Sequence, residues 1–182
     1  MKQEADDVLT FWFSECAPED WFTKSDDFDK QLENRFGELV ECALLAQLDG
    51  WNAQPESRLA LIILLDQFTR NIYRDTPRAF AGDEMALGIC LGAIAEGQLE
   101  REDEMAKRQF LLMPMMHSEA LEIQEKSLAL FKKYTSERTY DYAVRHRDIV
   151  ARFGHFPHRN AILGRPSTAE EIAFLTEPNS SF

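Results

Sequence analysis

The stretch Leu59 to Arg74, LALIILLDQFTRNIYR, constrains the fold more than any other part of the chain. Leu59 through Leu65 is apolar on every side, and a helix without a polar face is buried all round, so this segment is expected at the centre of a domain. Asp66, Gln67, Arg70 and Asn71 follow at once. A central position tolerates such side chains only when they are paired. Asp66 and Arg70 stand four apart on one helix face, in the favourable acid-before-base order. The cluster is therefore either a structural lock or the floor of a binding site, and the sequence leaves both open.

Around this helix, 182 residues suffice for one domain, residues 1–182, with a substantial core. Apolar content of 45% with thirteen Phe makes the chain globular. A net charge of −12 argues against nucleic acid, whose phosphates need a basic stripe, and against anionic membrane surfaces. A local basic pocket can coexist with that charge. Many arginines do fall in two stretches, 70–78 and 145–165. Cys16, Cys42 and Cys90 are odd in number and far apart, the pattern of reduced thiols. The start, MKQEADD, has no hydrophobic signal core, and the longest uncharged run, Met85 to Ala95, is too short to span a bilayer. A soluble cytoplasmic protein is expected, with its oligomeric state open.

Helical signals recur along the chain. Residues 4–13 read as a first helix, followed by an aromatic anchor at Trp21–Phe22. Ser25 is placed to cap a second helix whose Phe28, Leu32, Phe36, Leu39, Ala43 and Ala46 form one stripe, ended by Asp49–Gly50. Pro55 suits the start of the central helix. A turn-rich link leads to a helix from Asp83, where Gly88 and Gly92 predict close approach of a neighbour, and Gly97 closes it. Met105–Met113 is helical, with Pro114 ending or kinking it. Ser118 is expected to cap the next helix, with Leu121, Leu128 and Phe131 inside and Glu122/Lys126 as an exposed pair. Another runs from Tyr140 to Phe153, and an irregular loop, GHFPHRNAILGRP, follows. Ser167 with Glu170 predicts a capping box for a last helix that docks Ile172 and Leu175. With no sustained alternation and short loops throughout, the chain reads as all-α, about seven to nine helices in an irregular α–α superhelix.

The densest polar stretch is residues 140–160, YDYAVRHRDIVARFGHFPHRN. His146 falls on the apolar face with Tyr142, Ile149 and Phe153, while Arg145, Asp148 and Arg152 form another. That suits a hydrogen-bonded core histidine, or a base at a pocket wall. The HRD triplet lacks the asparagine and glycine-rich loop of a kinase. His117, His146, His155 and His158 match no metal-ligand spacing, so no metal or cofactor is expected. No GxSxG elbow marks a serine hydrolase. The arginines remain: Arg70, Arg74, Arg145, Arg152, Arg159 and Arg165, with Gln67, Asn71 and Asn160, suit fork-like recognition of carboxylate or phosphate. His158–Arg159–Asn160 could close over such a ligand. Equally, Asp66, Asp75 and Asp148 could neutralise these arginines in networks that fix helix register.

The segments VLTFWF, LALIILLDQFTRNIYR with RAF following, MHSE, and RHRDIVARFGHFPHRNAILGR together resemble the bacterial family catalogued as domain of unknown function 924, over residues 8–175. The resemblance implies an all-helical, tetratricopeptide-like superhelix and brings no established activity. It implies polar motif positions at Asp66, Gln67, Arg70, Asn71, His117, Glu119, His146, Arg147, Asp148, Arg152, His158, Arg159 and Asn160. Thr69 stands where proline is expected, so the helix should run on more regularly. Met116 stands where many relatives have glutamate, which weakens His117 as part of an acid–base or metal site. The expected function is a binding module with an Arg/His-lined pocket for a small anionic molecule or acidic peptide. An alternative is a hydrolase with His158 or His146 as base and Arg70 and Arg152 stabilising charge. A second alternative is a scaffold with a purely structural cluster.

Overall fold

Apolar periodicity becomes helix along most of the chain. In the computed structural model, which describes residues 2–178, 180 and 181, every regular element is helical. Helix α1 (Lys2–Thr10) continues as a wider π-helical turn, Phe11–Glu15. Trp21 provides the expected anchor, its indole N–H donating to the Trp12 carbonyl at 2.8 Å and its ring edge-on to Phe110 at 4.9 Å; Phe22 instead stays exposed. Helix α2 (Asp26–Leu44) starts at Ser25, whose hydroxyl accepts from the Phe28 amide at 3.3 Å. It buries Leu32, Phe36, Val40 and Ala43, then stops short of the expected Asp49–Gly50. The reason is Ala46, which is exposed and turns left-handed at φ 58°.

The central helix opens with Pro55 at its first position, as α3 (Pro55–Ile62), widens into a π-helical stretch at Ile63–Phe68, and returns to α4 (Thr69–Ile72). Every residue from Arg58 to Thr69 is buried, as the unbroken apolar run requires. Helix α3 packs against α1, α5 (Asp83–Ala95) and α7 (Met105–His117). Aromatic rings fill the space between, with Phe11 against Phe36 at 5.2 Å and Trp12 against Phe68 and Phe110 at 5.4 Å each. The helix passes through Thr69, but the π stretch just before it overturns the expected regularity.

Gly88 and Gly92 on α5 are exposed, and a Cβ on either would meet nothing within 4 Å, so the predicted close approach is wrong. Helix α5 turns Ala86, Cys90 and Ala93 inward instead. The close approach lies six residues before Gly88: a Cβ on Gly82 would stand 2.2 Å from the Leu65 carbonyl oxygen.

After α6 (Gln98–Arg101), α7 runs through Pro114 to His117 without ending there. Proline removes one amide from the helical ladder, a loss that the burial of Phe110 through Met116 offsets. Ser118 closes α7 rather than capping α8 (Leu121–Tyr134), its hydroxyl accepting from the Ala120 amide at 3.2 Å. Leu121 is correspondingly exposed, while Phe131 is buried and Glu122/Lys126 pair on the surface at 2.6 Å. Helix α9 (Glu137–Phe153) begins before Tyr140 because the Ser136 hydroxyl caps it, accepting from the Thr139 amide at 3.1 Å.

The loop beyond Gly154 contains a 3-10 turn, Pro157–Arg159, and α10 (Asn160–Leu163). The final capping box is Thr168 with Glu171, one residue later than Ser167 with Glu170, at the start of α11 (Ala169–Phe174). One residue turns a helix by about 100°, so Glu171 and not Ile172 faces inward; Ile172 is exposed and Leu175 half-buried. Among the described residues no helix is long and apolar enough to cross a membrane.

The two kinds of glycine predict opposite responses. Gly82→Ala should destabilise by about 1–3 kcal/mol, because the Leu65 carbonyl is main chain and cannot swing away. Gly88→Ala, on an exposed helical face, should stabilise by about 0.5–1 kcal/mol. Urea unfolding of the two variants checks this, and shifts of the same sign would reject the assignment.

Candidate functional site

The π-helical stretch explains how a polar group sits at the centre of the core. Widening a helical turn weakens the ordinary i−4 bonds of its carbonyls. Three consecutive carbonyls here take side-chain donors from four residues ahead. Thr69 donates to Leu65 O at 2.7 Å, Arg70 to Asp66 O at 2.6 Å and Asn71 to Gln67 O at 3.0 Å. The TRN of the motif is thus fitted to the helix that precedes it.

Asp66 has no exposure. Gln67 donates to its Oδ2 at 2.6 Å, while His117 Nδ1 at 2.8 Å and Arg70 Nη1 at 3.2 Å surround Oδ1. Burial alone would raise the Asp66 carboxyl, but His117, Arg70 and Gln67 together hold it well below the usual carboxylate range. Burial pushes His117 the other way, below the ordinary imidazole value, and Arg70 adds to that against the pull of Asp66. The pair is therefore an ionised carboxylate beside a neutral imidazole. With Nδ1–H given to Asp66, the lone pair resides on Nε2, and among the described residues no hydrogen bond reaches that atom. The His117 side chain retains 14% exposure.

Asp83, at the start of α5, extends the cluster outward. It lies 2.8 Å from Arg70 Nη1, accepts from Arg70 Nη2 at 3.0 Å, and accepts from Arg159 Nη1 at 3.2 Å. Arg159 also donates to the His117 carbonyl at 3.0 Å and lies between the Phe80 and Phe156 rings, 4.6 Å from each. Its side chain is only 7% exposed, and among the described residues its Nε has no hydrogen-bond partner. Burial and the neighbouring Arg70 push the Arg159 guanidinium down to about 10.

His146 is buried, its Nδ1 2.8 Å from the Tyr142 carbonyl, with Phe156 at 5.5 Å and the His117 ring at 6.2 Å. Burial and His117 push it down to about 3, and burial and Arg159 push His158 down to about 4. Of the expected site residues, the structure thus gathers Asp66, Gln67, Arg70, His117, His146, His158 and Arg159. The others lie elsewhere. Asn71 faces Arg74, which grips Asp29 at 2.6 and 2.7 Å. Arg145 is exposed beside Tyr142, Asp148 pairs with Arg147 at 2.8 Å, and Arg152 meets Glu170 at 2.9 Å. Asn160 is buried against Ser167 at 3.1 Å, and Glu119 binds Arg165. Asp75 makes its direct ion pair with Lys24, at 3.2 Å, and acts on Arg74 only through its charge.

Two surface clefts lie away from this cluster. One, of about 310 Å³ between Lys24, Glu33 and Arg74, shares Asn71 and Arg74 with the residues expected to recognise an anion; the other, of about 280 Å³, lies between Leu9, Leu59 and Lys107. Among the described residues no group of three or more His, Cys, Asp or Glu could hold a metal ion. Sequence reasoning missed Asp83, Phe80 and the buried Arg58, which Asn52, Glu96 and Gln98 satisfy. Only the AGD turn hinted at Asp83, as a helix start.

The buried neutral histidines predict a pH dependence. Unfolded imidazoles take a proton near 6.5, whereas His146 and His158 resist down to about 3 and about 4. Below that unfolded value the unfolded chain binds more protons, so their contribution is complete above it and shrinks as pH falls. The slope reaches at most about 1.4 kcal/mol per pH unit for each histidine. Urea midpoints should therefore drop between pH 7 and 5, and His146→Gln should flatten that drop. An unchanged slope in the variant would assign the pH dependence to other groups.

A family model described as "Bacterial protein of unknown function (DUF924)" matches residues 8–179. No protein with a curated description matches. A solved structure of a protein of unknown function, ATU0120 from Agrobacterium tumefaciens, is 38% identical with a TM-score of 0.90, over 96% of this chain and 98% of that one. Both the motifs and the fold thus place the chain in one group: it belongs to the DUF924 family of bacterial proteins.

Proposed function

We propose that this protein is a binding module for a small anion, a carboxylate or phosphate that includes the carboxylate of an acidic peptide end. Two guanidinium groups, Arg70 and Arg159, converge on the single carboxylate of Asp83, and this convergence carries the reading. Arg159 is underserved there, its side chain buried and its Nε without a hydrogen-bond partner among the described residues. The cluster reaches the surface at its outer edge, where Arg70 is 19% and Asp83 20% exposed. An arriving anion would compete with Asp83 for the guanidinium forks, the geometry arginine serves best. The scaffold fits an irregular α–α superhelix of tetratricopeptide-like type, in which successive helices α7, α8 and α9 pack on one another.

A second reading, a hydrolase, is favoured by the Asp66–His117 pair. A buried carboxylate that fixes the tautomer of a neutral imidazole is the arrangement of a general base. In that case the base is His117 and not His158 or His146, and Arg159 replaces the outlying Arg152. His117→Gln would then abolish turnover of an ester or phosphoester while leaving anion binding.

Calorimetric titration with inorganic phosphate and with succinate tests the first reading. Arg159→Met should lose binding. Asp83→Asn should tighten it roughly fivefold, about 1 kcal/mol, by removing the internal competitor. Binding by neither the natural protein nor Asp83→Asn would leave the cluster a structural lock.

A further inference from the structure

The segment that delivers Arg159 has the construction of a strap. It begins at Gly154 and ends at Gly164, whose φ values of 75° and 67° suit glycine. Glu119 ties its two ends together, accepting from the Phe156 amide at 2.9 Å and from Arg165 Nη1 and Nη2 at 2.7 and 3.0 Å, while Glu171 also holds it, 2.6 Å from His155 Nε2 and accepting from Asn160 at 3.4 Å. Arg165 donates in turn to the Phe156 carbonyl at 3.2 Å. Glu119 therefore grips both ends of the segment from outside it. Phe156, beneath the strap, packs with Ile149 and Val150 in a small apolar cluster separate from the main core. Units that pack on their own small cluster open below the global unfolding free energy.

We propose that residues 154–165 open and close as one unit, with Glu119 as the clasp, and that opening withdraws Arg159 from Asp83. Glu119 follows His117 by two residues at the end of α7, so the same turn fixes the imidazole against Asp66 and the strap above it. Glu119 is then a positioning residue and does not itself touch an anion. The opening unit stands on the contacts just given; its control of anion binding rests on the function proposed above.

Hydrogen exchange of the full chain, read by mass spectrometry, tests both parts separately. Peptides from 154–165 should exchange together, and faster than those from α3. Glu119→Gln, or Arg165→Met if the first variant does not fold, should speed them roughly tenfold while α2 and α3 are unchanged. Glu122→Gln, on an exposed pair, should change nothing. Acceleration spread evenly over the whole chain, or strap peptides as slow as α3, would overturn the proposal. Inorganic phosphate should slow the strap in the natural protein. Loosening by Glu119→Gln without any effect of phosphate would keep the strap and reject its link to an anion.

Discussion

A carboxylate with no access to solvent, Asp66, is the group on which the centre of the molecule depends. Burying an unpaired charge is prohibitive, so the fold has to bring it donors. Gln67 and Arg70 come from its own helix, and His117 comes from the end of α7. From Arg70 the ion pairs continue to Asp83 at the start of α5, and from Asp83 to Arg159 beyond α9. One buried charge thus fixes the relative positions of four segments far apart in the chain. Apolar packing could hold the same helices together, but it would tolerate sliding. A chain of forks and carboxylates does not.

The π-helical turn makes this possible. In a regular α-helix the carbonyls of Leu65, Asp66 and Gln67 are bound to amides and their side chains follow a strict spiral. Here Thr69, Arg70 and Asn71 supply side-chain donors to those carbonyls. Gly82 lets the next segment pass directly over Leu65, where any side chain would collide with its oxygen. Local irregularity, the absent side chain and the buried acid are parts of one arrangement. Such π turns often mark functional sites.

The sequence carried the fold class well because helix burial follows from period and composition. The apolar run Leu59–Leu65 marked the central helix, and Ser25 and Pro55 marked helix starts where the structure has them. It was less informative where two neighbouring residues could play one part. Ser167–Glu170 and Thr168–Glu171 are equivalent as capping boxes, and only packing selects the second. Gly88 and Gly92 have the spacing of close approach, but spacing does not say whether a neighbour is there. In the site, Asp66 and Arg70 stood out because polar groups beside an apolar run must be paired, whereas His117 entered the expected site only as a motif position implied by the family resemblance. Asp83 and Phe80 did not stand out, since a helix-starting acid and a loop aromatic have ordinary explanations. The arginines of α9 misled for the converse reason: Arg145 and Arg152 share a segment with His146 but face outward.

Structural lock and binding site are commonly set against each other, yet the charges here separate the two roles by depth. At the bottom, Asp66 is satisfied on every side and its imidazole partner is neutral, which is what a lock requires. Toward the surface the balance changes. Arg70 and Arg159 share Asp83, and the guanidinium more deeply buried of the two is the one whose charge is disfavoured, down to about 10. A purely structural network would gain by giving that cation a carboxylate of its own, because truncated pairing in a dry site is costly. Glu119, whose charge also reaches Arg159, is instead spent on Arg165 and the Phe156 amide, holding the strap and not the cation. The fold thus keeps its rigid charges deep and leaves an incompletely matched cation on a segment whose two ends Glu119 ties together.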